Sequence, residues 1–314
     1  MYRVCLVGYG YWGSKLARNF KNSDFFDLCA IADSKKTNLF LAKKIFPLIS
    51  THVNYKESIK NNLINLVVIS TPTRTHYKIA KFALENFKHV LIEKPMCLSS
   101  KEVISLNKIA KKNKKMIFVD YPFLFSGTIN FIKNLINKKK YGKILEIESF
   151  REQAPIRNDS NVIWDLGIHD ISILTYLLKQ QPYKIKTIVK KNFNNRLCDT
   201  AYINLKYKKD INVLIKNSWV SPTKIRVLKI KFEKAILYCD ENESIYKIKI
   251  YKNKSKKNWK DYKLEVPDLD LGEPLSKMTK YIFHSIKSNN NELFKNKLNE
   301  KITLLVEKIN KNNE

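Results

Sequence analysis

The sequence predicts an α/β protein: a doubly wound parallel sheet first, then a second α/β domain with a largely antiparallel open sheet. Three observations carry this. Short apolar runs alternate with helix-period segments over the first 120 residues. Three of the seven glycines fall at positions 8, 10 and 13, between the first apolar run and the first helix. After about residue 120, strand follows strand through short polar connections. A chain of 314 residues suits two domains, divided as 1–120 and 121–314, with the C-terminal helix free to pack back on the first.

The elements follow in order. Arg3-Val-Cys-Leu-Val7 is an apolar run typical of a buried parallel strand, and Ser14 to Lys21 a helix. Leu28 to Ala32 is the second strand, ending at Asp33. Helices are expected near 37–45, 55–61, 75–86 and 99–113, and strands near 51–54, 65–70, 88–92 and 115–119. Ser99 followed by Glu102 reads as a capping box. A helix near 127–138 then leads to a strand over 143–150, a polar loop over 151–161 and one helix over 162–178. Seven strands are expected at 183–190, 199–207, 210–219, 224–233, 235–239, 244–251 and 261–266. Helices near 274–288 and 299–312 close the chain, and the Lys/Asn-rich stretch 252–260 reads as a solvated loop.

At 44% hydrophobic and 28% charged, the composition is neither disordered nor membrane-embedded. No apolar run approaches the ~20 residues of a membrane span, and no signal peptide is read at Met1–Val7. Five cysteines without a CxxC pair argue for a reducing cytoplasm and against a disulfide framework or a structural zinc site. The net charge of +30 is mostly scattered Lys, in the manner of AT-biased coding, with seven Arg; nucleic-acid surfaces cluster charge and favour Arg, so no nucleic-acid partner is expected. Lys is absent from 144–178, a gap that burial explains except over the polar stretch 151–161, which keeps Arg151 and Arg157.

Gly8-Tyr9-Gly10-Tyr11-Trp12-Gly13 fits G-x-G-x-x-G, follows a strand, opens a helix, and has an acid, Asp33, 20 residues beyond Gly13. Gly8 allows the turn, Gly10 lets backbone approach a pyrophosphate on the helix N-terminus, and Gly13 lets helix and strand pack closely. Asp33 would accept from the adenine ribose hydroxyls, which favours NAD over NADP; Lys35 and Lys36 could compensate for a 2′-phosphate. The bland alternative is a tight strand–helix turn without ligand.

Ser70-Thr71-Pro72-Thr73 and His76 lie at the carboxyl end of the fourth strand, where α/β sheets bind ligands, although a plain helix-capping turn would look the same. Glu93-Lys94-Pro95 ends the fifth strand. Lys94 is either a partly desolvated lysine able to share a proton with a substrate hydroxyl or an ordinary surface lysine. Asp165 and His169 stand i,i+4, so a carboxylate can orient an imidazole as general base, or form a structural pair. Gly167, in mid-helix, hints at something approaching closely. A metal lacks a third ligand at suitable spacing.

These motifs together resemble the Gfo/Idh/MocA oxidoreductases, the group of glucose–fructose oxidoreductase and inositol dehydrogenase. The resemblance runs nearly end to end: the Gly8–Gly13 turn, Thr71-Pro72…His76, His89-Val-Leu-Ile-Glu93-Lys94-Pro95, Trp164-Asp165-Leu-Gly-Ile-His169-Asp170 and Glu273-Pro-Leu275. Gly10-Tyr-Trp-Gly13 with Arg18-Asn-Phe20, Phe123-Leu-Phe125 and Asn161-Val-Ile-Trp-Asp165 looks like a branch associated with surface-polysaccharide and nucleotide-sugar pathways. Tyr121 departs from that branch, which more often has His there.

The resemblance implies a Rossmann domain with bound NAD (NADP not excluded), and a second domain whose open sheet makes homodimers or homotetramers. It implies Lys94, Asp165 and His169 as the substrate-facing trio of a cytoplasmic sugar dehydrogenase, with no membrane partner. Arg151, with Arg157 second, is expected to bind an anionic group of a nucleotide sugar or sugar acid, or else to pair with Glu148 or Glu152. The alternatives are a non-catalytic dinucleotide-bound sensor on the same fold and a dehydrogenase of a free polyol such as inositol.

Overall fold

A computed structural model of the chain describes residues 1–193, 196–253, 261–294 and 297–312. Two compact units divide it: Met1–Pro122 with Glu273–Leu304, and Phe123–Gly272 with the chain from Leu305 onward.

In the first unit, strands β1 (Tyr2–Val7), β2 (Phe26–Ala32), β3 (Ser50–His52), β4 (Leu66–Ile69), β5 (His89–Glu93) and β6 (Ile117–Asp120) alternate with helices α1 (Tyr11–Lys21), α2 (Lys36–Ile45), α3 (Tyr55–Lys60), α4 (His76–Glu85) and α5 (Ser100–Lys112). The sheet order is β3-β2-β1-β4-β5-β6, parallel throughout. The order reverses between β1 and β4, the switch point at which such sheets open a crevice. Register brings Val7 beside Ala32 and Ile69, and Glu93 beside Asp120, so the carboxyl ends align. Both faces are covered, so the strands read as continuous apolar runs: Leu66 to Ile69 and Val90 to Ile92 are fully buried. Ser99 caps α5 by accepting from Lys101 N–H.

The second unit opens with α6 (Gly127–Asn137) and β7 (Ile144–Glu152). After a loop, a π-helical turn at Ile163–Gly167 runs into α7 (Ile168–Leu178). Strands β8 (Lys184–Lys190), β9 (Thr200–Tyr207), β10 (Ile211–Ser218), β11 (Ile225–Phe232), β12 (Ala235–Asp240), β13 (Ile248–Asn253) and β14 (Tyr262–Glu265) complete an eight-stranded sheet of order β14-β13-β12-β11-β7-β10-β9-β8. Every pairing is antiparallel except β7 with β10. Alternation puts Ile147, Ile203, Val213, Ile215, Ile230 and Leu237 on the buried face and lysines such as Lys206 and Lys231 on the other.

Two differences from the sequence expectation bear on function. Strand β7 runs two residues past 150, so Arg151 belongs to a central strand rather than to the polar loop. The helix expected over 162–178 begins as a π turn. Of the Lys/Asn-rich stretch 252–260, residues 254–260 lie outside the described residues. Helices α8 (Pro274–Lys287) and α9 (Leu298–Lys311) close the chain. Phe283 of α8 stacks on Phe25 before β2, ring centroids 4.4 Å apart.

Candidate active site

The carboxyl edge of the parallel sheet carries the first group of expected residues. Gly8 has φ +96°, and a Cβ on it would overlap the Ser70 carbonyl; a Cβ on Gly13 would overlap the Gly8 carbonyl oxygen. At Gly10, by contrast, a Cβ would meet nothing within 4 Å. That open space lies at the N-terminus of α1, where Gly10 supplies no side-chain cap. A dinucleotide pyrophosphate fits this arrangement. Asp33 accepts from Tyr9 N–H at 2.7 Å, Lys35 N–H at 2.8 Å and Asn38 Nδ2 at 3.0 Å. The carboxylate is therefore immobilised beside the glycine turn, with lone-pair capacity left for a ribose hydroxyl.

Tyr11, 80% exposed, accepts a bond from Lys15 Nζ at 2.9 Å, and the same ammonium stands 4.2 Å from the Tyr11 ring centre and 4.9 Å from that of Trp12. The Trp12 indole N–H turns inward and donates to Asp120 Oδ2 at 2.6 Å. His76, expected among the cofactor contacts, is buried instead, with Nδ1 2.9 Å from the Pro95 carbonyl and Nε2 2.8 Å from the Thr71 carbonyl. Burial pushes its pKa down, and these carbonyls oppose the shift. His76 thus ties the loop after β4 to the segment carrying Lys94. Ser70, Thr71, Glu93 and Lys94 are half-buried at the strand ends, and Pro72 is exposed. Tyr121 is fully buried, its hydroxyl pushed well up by desolvation.

The second group surrounds the start of α7. Asn161 accepts from Ile163 and Trp164 N–H through its side chain, both at 3.2 Å, and so caps the π turn. Asp165, 8% exposed, accepts from the Trp219 indole at 3.0 Å and lies 3.6 Å from Arg157 Nη1. The His169 ring meets Phe123 edge-on, centroids 5.2 Å apart at 79°. Gly167 does accommodate a close approach: a Cβ there would come 2.9 Å from Asn217 Oδ1.

Arg151 was expected to bind an anionic substrate or to pair with Glu148 or Glu152. It is 5% exposed, and its Nε donates to Asp170 Oδ1 at 3.1 Å. The carboxylate of Asp170, 1% exposed, also accepts from Ser149 Oγ at 2.9 Å and Asn217 Nδ2 at 2.7 Å. The Arg151 guanidinium lies 4.4 Å from the Phe123 ring centre. Strand alternation turns residue 151 onto the face covered by α7, so its charge is neutralised inside the unit. Arg157 is bound bidentately by Asp159 at 3.0 and 3.1 Å. Arg226, unremarked in the sequence, joins the cluster: burial first, then the Arg151 cation, pushes its pKa down to about 10. As an arginine kept in a lysine-rich chain, Arg226 carries the same sequence signal as Arg151.

Sequence reasoning also missed Asp120, Asp170, Asn217 and Trp219. A carboxylate ending an otherwise apolar strand, and another in an apolar helix directly after a histidine, were the available signals. Among the described residues, no group of three or more His, Cys, Asp or Glu side chains is placed to hold a metal, and no helix is long and apolar enough to cross a membrane.

Comparison with known proteins agrees with this layout. Residues 2–121 match the model of an oxidoreductase family with an NAD-binding Rossmann fold, and 129–238 match the GFO/IDH/MocA C-terminal domain. A 1-carboxy-3-chloro-3,4-dihydroxycyclo hexa-1,5-diene dehydrogenase of Comamonas testosteroni is 30% identical over 56% of this chain, a match spanning only 47% of that protein. The myo-inositol 2-dehydrogenase of Thermotoga maritima is 25% identical over 69% of this chain and 68% of its own length. The UDP-N-acetylglucosamine 3-dehydrogenase of Acidithiobacillus ferrooxidans superposes with a TM-score of 0.86 at 18% identity, covering 99% of this chain and 97% of that one, which speaks for the fold. With both family models matched in sequence order over most of its length, the chain belongs to the Gfo/Idh/MocA oxidoreductase family.

Proposed function

We propose that the chain is an NAD-dependent dehydrogenase that exchanges a hydride with the carbon bearing a secondary hydroxyl on a polyhydroxylated six-membered ring. The carrying observation is the open cradle at Gly10, flanked by an immobilised Asp33, in a chain that also keeps Lys94, Asp165 and His169. The named substrates of the relatives share such a ring hydroxyl. Gly8–Gly13, Asp33 and Ser70–Pro72 would hold the cofactor, and His76 would brace its loop. When bound, the nicotinamide supplies the acceptor or donor of the hydride.

The chain's own residues manage the proton. His169 accepts it from the substrate hydroxyl, Lys94 hydrogen-bonds the same oxygen and stabilises its developing negative charge, and Asp165 orients the imidazole. In the reverse direction the same groups return the proton. Because Asp170 already neutralises Arg151, the substrate need not be anionic. A nucleotide sugar or sugar acid of surface-polysaccharide metabolism then rests on the branch motifs, and a free polyol stands beside it. The exposed face of the eight-stranded sheet, with Ile188, Tyr202 and Leu214, would serve homo-oligomer contact in the cytoplasm.

The test is NAD⁺ reduction with myo-inositol, UDP-N-acetylglucosamine, glucose 6-phosphate and a uronate. Lys94→Met and His169→Ala each lower kcat by about 10²–10⁴ with NADH affinity nearly unchanged. Near-wild-type turnover in both variants refutes the role assignment. NADH binding without turnover of any ring polyol favours a dinucleotide-bound sensor.

A further inference from the structure

One group at the carboxyl edge of the parallel sheet has no task in the reading above. Asp120 ends β6, in register with Glu93, the residue before Lys94. Its side chain is 0% exposed. Oδ2 takes the Trp12 indole N–H, and Oδ1 is buried with no hydrogen-bond partner among the described residues. A half-satisfied buried carboxyl is costly and calls for a physical explanation. Its anchor, Trp12, sits in the glycine turn itself, so the carboxyl is fixed to the segment that receives the dinucleotide.

Topology says which end of the dinucleotide is involved. In sheets of this kind a dinucleotide lies across the carboxyl ends at the switch point, here β1/β4, and an acid at the end of β2 would take the adenosine half. Strands β5 and β6, on the other side of the switch, would then flank the nicotinamide half. The oxidised nicotinamide ring carries a positive charge and the reduced ring none. Lys94 brings another positive charge to the same edge, which by itself would disfavour the oxidised form. A fixed anion in a low-dielectric setting offsets it.

We propose that Asp120, held by Trp12, is the charge-setting residue of the nicotinamide half-site and biases this unit toward the oxidised dinucleotide. The inference rests on the dinucleotide-binding reading of the glycine turn. The charged and titratable groups around Asp120 are Lys94 and Glu93 from the β5 end, with Tyr121 and Cys97 nearby. Burial pushes the Tyr121 hydroxyl and the Cys97 thiol well up, so both are neutral at ordinary pH. Burial also pushes the Asp120 carboxyl up to about 6, against the opposing pull of the Trp12 bond and Lys94. The bias is thus full near pH 8 and fades as Asp120 protonates toward pH 5.

The experiment is titration of the whole chain with NAD⁺ and with NADH by calorimetry, from pH 5 to 8, for wild type, Asp120→Asn and Trp12→Phe. In wild type the ratio Kd(NADH)/Kd(NAD⁺) rises with pH through about 6. Asp120→Asn, which keeps an acceptor for the indole, lowers that ratio about tenfold at pH 8 and flattens its pH dependence. Trp12→Phe removes a bond that favours the carboxylate, and so moves the midpoint to higher pH. A folded Asp120→Asn variant with the wild-type ratio overturns the proposal. If that variant does not fold, a wild-type ratio that stays flat from pH 5 to 8 overturns it. Failure of wild type to bind either nucleotide overturns the dinucleotide reading itself, and this proposal with it.

Discussion

The Arg151–Asp170 pair makes a quantitative demand on the second unit. Its side chains are 6% and 1% exposed, so neither charge is hydrated if the other is removed. Breaking such a pair by deleting one partner costs about 3–5 kcal/mol, most of it from the stranded charge. Arg151→Met should fall in that range, because Asp170 retains Ser149 and Asn217 as donors but loses its only cation within bonding distance among the described residues. Asp170→Asn strands the arginine instead and should cost about 2–4 kcal/mol, nearer the value for a lost charge-assisted bond. The double variant strands neither charge, so its cost should fall short of the sum by at least ~1.5 kcal/mol, well outside the ~0.5 kcal/mol within which independent sites add. Urea denaturation of the four proteins, followed by circular dichroism, measures the cycle. Additivity would refute the view that the two charges neutralise each other, and would reopen Arg151 as an anion-binding fork.

Three further outcomes follow from the geometry. Gly13→Ala drives a methyl into the Gly8 carbonyl and should abolish NADH binding; wild-type affinity by NADH fluorescence would contradict the turn's role. Asp33→Ser removes the charge that repels a 2′-phosphate and should shift the NADPH/NADH affinity ratio at least about tenfold toward NADPH, read by the same titration, with tight NADPH binding in wild type as the refuting result. The Asp120 carboxyl is raised in the fold from 3.8 to about 6. Its contribution to stability is therefore fully present below pH 4 and lost as pH rises through 6, worth about 3 kcal/mol. The stability difference between wild type and Asp120→Asn, from urea midpoints at pH 4 to 8, should follow that slope.

Contiguous residues carried much of this protein's organisation. Alternating apolar runs and helix-period segments determine the parallel sheet, because each strand and its crossover helix occupy adjacent stretches of chain. The glycine spacing and the acid 20 residues on are equally local, and Gly8, Gly13 and Asp33 stand where that pattern puts them. The β7/β10 parallel pairing is different. It depends on which distant strands meet, and nothing in either segment announces it.

The same limit governs the site. Trp12 meets Asp120 across 108 positions, and Trp219 meets Asp165 across 54. The retained arginine at 151 was legible as a residue that needs its guanidinium, but its partner was not. Only strand register turns Arg151 inward under α7, where a buried cation must find a buried anion, and Asp170 is the one it finds.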